Sequence, residues 1–273
     1  MPNALGSENM SFSDKSQAIA VVVILISVLG VGVFAGYTIL NPPQPEDTSI
    51  VLTVLDNAGV MIEAAGIRIY IDPINLPSTY STLPADAILI THPHGDHYNY
   101  TCIEMLQKET TVNIFPDNMS AEVALHDGVG VDPLDSVQVG SINITAYFMY
   151  TEIWIDGVRY ASHPSEANWT SYIIEINGFK ILHAGDSKNI TEYEQISSQM
   201  DVVLLPLGPG CQAMTGLEVV DAIEKLQPHY FIPIHTTNLD AEIFVGAYTD
   251  EIQAVSDCVP IWIRHFESYT FEP

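Results

Sequence analysis

Basic residues are what this chain has least of. Its 273 residues include 8 Lys plus Arg against 34 Asp plus Glu, for a formal charge of −26. Duplex nucleic-acid binding depends on Lys and Arg neutralising phosphates, so the sign of the field excludes that class. A small anion held by metal ions is not excluded, because a bound cation inverts the local potential. Cysteine is scarce too. Cys102, Cys211 and Cys258 follow no CxxC spacing, which excludes a disulfide scaffold. One bridge with a free thiol, or three free thiols, are both open. No internal repeat or low-complexity tract stands out. What is plentiful is apolar: 47% of residues are hydrophobic, enough for a sizeable core and too much for a disordered chain.

One apolar run is long. Residues 18–40, AIAVVVILISVLGVGVFAGYTIL, carry no charge. About 20 apolar residues span a bilayer, so the run predicts a transmembrane helix. A cleaved secretory signal, ending near Val33-Phe34-Ala35, is the alternative; its leader should be basic, and here Lys15 sits beside Asp14 with Glu8 upstream. Residues 41–49, NPPQPEDTS, read as a stiff linker. The expected organisation is a leader over 1–17, an anchor over 18–40, a linker over 41–49 and a catalytic domain over 50–273. Lys15 before the run and Glu46 and Asp47 after it put the domain outside the cell. Asn-x-Ser/Thr sequons begin at Asn9, Asn99, Asn118, Asn143, Asn168 and Asn189. This composition gives about two by chance, so the excess points to an exported glycoprotein.

The domain alternates short strands with helices. IVLTVLD (50–56), VMIEA (60–64) and IRIYID (67–72) read as strands, and AILIT (87–91) as a strand buried on both faces. Helices are expected over 101–108, 119–126, 216–226 and near 239–247. Further strands are expected over 137–150, 172–184, 201–207, 230–234, 259–264 and 268–272, with Asn177-Gly178 as a hairpin turn. Two sheets packed face to face with helices outside follow from that order.

The chemistry concentrates in Thr91-His92-Pro93-His94-Gly95-Asp96-His97, directly after the buried strand. Imidazole and carboxylate together suit Zn²⁺, Mn²⁺ or Fe²⁺. The spacing lets His92 and His94 face one ion, and Asp96 and His97 another. Among other histidines, His126, His229 and His265 read as surface or structural. Cys211 sits in a Gly-Pro-rich loop and reads as incidental.

HPHGDH matches the HxHxDH signature of the metallo-β-lactamase superfamily, and the resemblance runs over nearly all of 50–273. Asp72 in IYIDP, His163 in ASHP, Asp186 in FKILHAGDS and His235 in FIPIHT resemble that superfamily's remaining landmarks, in order. INGFKILHAGDS, LPLG at 205–208 and MTGLEVVDAIEKLQPHYFIPIHT are most similar to the branch of ascorbate-6-phosphate lactonase and the N-acyl phosphatidylethanolamine phospholipase D type. The resemblance implies an α/β, four-layer αββα sandwich. It implies that His92, His94 and His163 hold one metal ion, that Asp96, His97 and His235 hold a second, and that Asp186 bridges them. Two divalent ions, Zn²⁺ ahead of Mn²⁺ or Fe²⁺, would share a hydroxide nucleophile, with Asp96 and Asp186 as the catalytic carboxylates. Asp72 would orient a ligand imidazole through its other nitrogen. His183 competes with His163 for the ligand role and reads as a neighbour of the site. No Cys occupies a ligand position, which sets the chain apart from the β-lactam-hydrolysing members. The expected function is a membrane-anchored hydrolase of a phosphodiester or lactone, on a small-molecule or lipid-like substrate. A glyoxalase II-like thioesterase and a metal-binding membrane scaffold without turnover are the alternatives.

Overall fold

The computed structural model describes residues 48–208 and 213–273. The leader, the apolar run 18–40, most of the linker, the Asn9 sequon and Cys211 lie outside the described residues. Among the described residues no helix is long and apolar enough to cross a membrane.

The first half comprises β1 (Ile50–Val54), β2 (Val60–Ala64), β3 (Ile67–Ile71), β4 (Ala87–Leu89), α1 (Tyr100–Leu106), β5 (Val112–Pro116), α2 (Ser120–Leu125) and β6 (Val129–Val131). The second comprises β7 (Ser136–Val139), β8 (Ile142–Phe148), β9 (Thr151–Ile155), β10 (Val158–His163), β11 (Thr170–Ile176), β12 (Phe179–His183), β13 (Val202–Pro206), α3 (Gly216–Leu226), β14 (Tyr230–Ile234), α4 (Asn238–Val255), β15 (Val259–Pro260) and β16 (Ser268–Phe271). One sheet has the order β16-β1-β2-β3-β4-β5-β6, the other β15-β14-β13-β12-β11-β8-β7, and β9 with β10 forms a separate ribbon. Both sheets are mixed. β3 through β6 run parallel, as do β12 through β15, while the remaining pairings are antiparallel.

Alternation of side chains along the strands builds three apolar layers. Ile62, Ile71 and Leu89 from one sheet meet Ile144, Tyr172, Val202 and Ile232 from the other, all essentially fully buried. The opposite faces are covered by helices. Ile88 and Phe115 pack with Ile103 and Leu106 of α1. Val203, Leu205 and Phe231 pack with Val219 and Ile223 of α3 and Phe244 of α4. This is the expected four-layer αββα arrangement. Each large side chain so buried contributes about 1.5–3 kcal/mol.

Several expected elements differ in extent. The strand expected over 87–91 stops at Leu89, because the chain then turns to present its histidines. The strands expected over 137–150 and 172–184 each resolve into a hairpin, the latter turning at Asn177 and Gly178, both at positive φ. α4 runs eight residues past the expected end, to Val255. Its burial pattern is weak, with Ala241, Phe244 and Ile252 as its buried residues. β5, β6 and the β9–β10 ribbon had no clear sequence signature. The last strand before β16 is only two residues long.

Candidate metal centre

Parallel strands deliver the polar side chains to one edge. Asp72 follows β3, residues 91–97 follow β4, His183 ends β12 with Asp186 just beyond, and His235 follows β14. The crevice outside the carboxyl ends of parallel strands is where open α/β sheets collect functional groups. Four hydrogen bonds tie the two sheet edges together. Tyr172 Oη donates to the Ile90 carbonyl at 2.8 Å, and Thr170 N–H to the Thr91 carbonyl at 3.1 Å. His183 Nε2 donates to the Ala58 carbonyl at 2.8 Å, and His235 N–H to the Asn57 carbonyl at 3.0 Å.

Backbone conformation aims these side chains. Asp72 and His235 both have positive φ, 47° and 57°. Asp and His tolerate that region better than most residues, and strain of this kind gathers at functional sites. Gly185, at φ 56°, takes β12 into the Asp186 turn. A Cβ there would lie 2.5 Å from Met149 Sδ and 3.1 Å from Thr91 Cβ, so only glycine lets the two loops approach this closely.

Asp72, His92, His97, His163, His183 and Asp186 are all fully buried. His92 Nε2 stands 3.1 Å from His94 Nδ1 and 3.2 Å from His163 Nε2. Thr91 Oγ1 donates to Asp72 Oδ2 at 2.7 Å and lies 2.9 Å from His92 Nδ1. With its proton committed to Asp72, that hydroxyl accepts from His92 Nδ1–H, which leaves Nε2 as a lone pair facing two other imidazoles. His97 Nδ1 lies 2.7 Å from Asp72 Oδ2, so its Nε2 also faces inward, 3.0 Å from Asp186 Oδ1. Asp186 Oδ2 lies 3.4 Å from His163 Nε2, 3.4 Å from His235 Nε2 and 3.9 Å from His92 Nε2. Asp96 Oδ2 is 3.3 Å from His235 Nε2 and 3.9 Å from His97 Nε2.

The donor set fits metal ions. Both Asp186 oxygens, His97 Nε2 and His235 Nε2 are buried without a hydrogen-bond partner. Orphaned buried groups cost about 1–3 kcal/mol each, and a cation among them removes that cost. The potential ligand atoms fall into three overlapping groups: His92, His94 and His163; His92, His97 and Asp186; and Asp96, His97 and His235. Burial and the neighbouring His97 hold the His92 imidazole neutral, its pKa well below the usual histidine value. Burial acts first on His94 as well, lowering it. Burial alone would also lower His97, but the carboxylates of Asp186 and Asp72 outweigh it and push its pKa up to about 10. Burial would raise Asp186, yet the ring of histidines led by His97 holds it well below the usual carboxylate range. Without an ion, a protonated His97 supplies the positive charge that the carboxylates require.

His183 has both ring nitrogens committed, Nε2 to Ala58 and Nδ1 accepting from Gly185 N–H at 3.2 Å. It fastens the turn carrying Asp186 and is excluded from ligation. His126, His229 and His265 lie outside the cluster. Two contributors were not singled out from the sequence. Asn57 donates through Nδ2 to the Asp96 carbonyl at 3.0 Å while its own carbonyl holds His235. Trp169 packs on His92, His94 and His163 at ring separations of 5.4, 5.2 and 5.7 Å. Asn57 resembled an ordinary Asn-Ala-Gly turn, and Trp169 an ordinary strand flank; only the meeting of the sheets gives either a role.

Comparison with known proteins gives the family. Residues 51–235 match the model of the β-lactamase superfamily domain. The UPF0173 metal-dependent hydrolase of Staphylothermus marinus is 33% identical over 195 residues, covering 68% of this chain and 78% of that protein. Its counterpart in Thermococcus onnurineus is 31% identical over 186 residues, covering 62% and 76%. The fold is shared with Igni18, a metallo hydrolase of Ignicoccus hospitalis, at TM-score 0.67 and 20% identity over 82% of this chain and 99% of that one. It is shared with CmlA, a diiron β-hydroxylase of Streptomyces venezuelae, at TM-score 0.59 and 16% identity over 85% and 55%. The chain belongs to the metallo-β-lactamase superfamily, within its UPF0173 family of metal-dependent hydrolases.

Proposed function

We propose that this protein is a dinuclear metal-dependent hydrolase acting on a lactone or phosphodiester. The buried Asp186 carboxylate carries the reading: no backbone N–H or hydroxyl meets either oxygen, and four imidazole nitrogens face it at 3.0–3.9 Å. His92, His94 and His163 would hold one ion, Asp96, His97 and His235 the second, and Asp186 both. Such a pair of ions, when bound, acidifies water to a nucleophile at neutral pH and polarises the substrate oxygen. Imidazole with carboxylate suits Zn²⁺, and the shared fold of a diiron enzyme supports Fe²⁺ as the alternative.

The chain's own residues set the geometry. Asp72 fixes His97 through Nδ1, and Thr91 fixes His92 in the same way, so both rings present Nε2. Trp169 packs against the rings of His92, His94 and His163. INGFKILHAGDS and LPLG, shared in character with the lactonase and phospholipase D branch, support a lactone or phosphodiester. The uncharged run 18–40 and the five sequons beyond it support a membrane-anchored, exported domain; carbonate-resistant membrane fractionation and a glycosidase-sensitive mobility shift test that placement.

The decisive assay combines metal analysis with turnover of bis-p-nitrophenyl phosphate, a lactone, a thioester and nitrocefin. The expected result is two ions per chain and turnover of a phosphodiester or lactone, abolished in Asp186→Ala. Turnover retained in that variant overturns the dinuclear reading. Preference for the thioester makes the protein glyoxalase II-like, and two ions without turnover make it a scaffold.

A further inference from the structure

Beside the metal centre lies a cleft of about 1070 Å³, with Asp96 and His235 among its lining residues. That volume accommodates a drug-sized ligand. We propose that this cleft selects substrates whose body is an uncharged alkyl or acyl chain, and rejects those carrying a second negative charge away from the reacting bond. The proposal rests on the hydrolase reading and names the substrate class for that same site.

Three observations carry it. First, one wall of the cleft is apolar: Ile74, Leu207 and, from α4, Ile243, Phe244, Ala247 and Tyr248 line it. Gly216 allows this, since a Cβ there would lie 2.5 Å from the Tyr248 ring, which packs against the start of α3. Second, α4 is apolar on two faces. Ala241, Phe244 and Ile252 are buried in the core, yet Leu239 and Ile243 are 64% and 57% exposed. Leu239, Ile243 and Ala247 succeed one another at i, i+4 and i+8, which makes a stripe along one side of the helix. Ile243 and Ala247 of that stripe line the cleft, an exposed apolar surface of the kind a ligand covers. Third, among the described lining residues there is no Lys or Arg, whereas Asp56, Asp96 and Asp240 are acidic. His265, the remaining basic candidate besides His235, has Asp56 at 3.7 Å. With Asp96 assigned to the ion pair, Asp56 and Asp240 remain, and an anionic group carried to their end of the cleft meets carboxylates with no Lys or Arg beside them.

The experiment uses two probe series from butyl to decyl. Alkyl hydroxamates bind the metal-loaded protein through their chelating head, and the corresponding alcohols displace Nile red from the metal-free protein. Affinity should rise about two- to fourfold per added methylene in both series. Ile243→Glu, at an exposed position, should flatten both dependences. Hydroxamates ending in an ω-carboxylate should bind at least about tenfold more weakly than their neutral counterparts, and Asp240→Asn should narrow that gap. Affinity independent of chain length, or ω-carboxylates binding as tightly as neutral chains, overturns the proposal. Chain-length dependence with the alcohols and no hydroxamate binding upholds the cleft and removes the metal reading instead.

Discussion

Asp72→Asn isolates one interaction. Asp72 accepts from Thr91 N–H at 2.8 Å through Oδ1, and from Thr91 Oγ1–H and His97 Nδ1–H at 2.7 Å each through Oδ2. It does so fully buried and at φ 47°, a conformation that Asn adopts as readily as Asp. The substitution therefore keeps shape and backbone and removes only acceptor capacity and charge. If the new NH₂ replaces Oδ1, it confronts Thr91 N–H, donor against donor. If it replaces Oδ2, it confronts His97 Nδ1–H and drives the ring proton to Nε2, the atom that faces Asp186. Either way a charge-assisted hydrogen bond of about 1.5–3 kcal/mol is lost. Loss of a carboxylate supporting a ligand histidine costs about 10–100-fold in metal affinity, and about 1.4–2.8 kcal/mol corresponds to that range. Competition against a chromophoric chelator measures affinity, and urea unfolding of the metal-free protein measures stability. Asp72→Ala should be worse than Asn by about a further 1–2 kcal/mol in stability, because Ala is strained at positive φ. Metal affinity of Asp72→Asn within twofold of the parent would refute the idea that Asp72 orients His97 for ligation.

Gly185→Ala should destabilise by about 2–4 kcal/mol, combining overpacking against Thr91 with a left-handed alanine; an unchanged urea midpoint would contradict the close approach. The metal-free protein should be most stable near pH 6.5. His97, raised to about 10, adds stability that is complete below its unfolded value near 6.5 and is lost as pH climbs through 10. His92 and His94, both lowered, oppose folding as pH falls below about 6.5, when the unfolded histidines take up protons. Asp186, lowered and paired with the same His97, loses its share only in more acid solution. Saturating metal should abolish the alkaline decline and release a proton as it binds, seen by calorimetry in buffers of different ionisation enthalpy. With a charge of −26 over its 273 residues, the protein should gain stability between about 0.1 M and about 1 M salt, as self-repulsion is screened; a falling urea midpoint would contradict this.

The residues themselves determined the chemistry and most of the layering. His92, His94, Asp96 and His97 stand within six positions on a loop after a strand, so local chain geometry alone brings their ligand atoms near one point. Continuous apolar runs such as DVVLLPL and YFIPI announced buried strands, and the apolar spacing over 216–226 announced α3. The tertiary structure decided what depends on residues distant in sequence. Asp186 lies 94 positions after His92, and its orphaned oxygens exist only because the parallel ends of β12 and β14 abut those of β3 and β4. The choice between His163 and His183 is likewise a matter of contacts, since the Ala58 carbonyl and Gly185 N–H occupy the second ring. α4 shows the limit most plainly. Its two apolar faces blur the helical period, so its length was underread from sequence. One face packs into the core, and Ile243 and Ala247 of the other line the cleft. Periodicity reports how much of a helix is apolar, and only packing reports what each face meets.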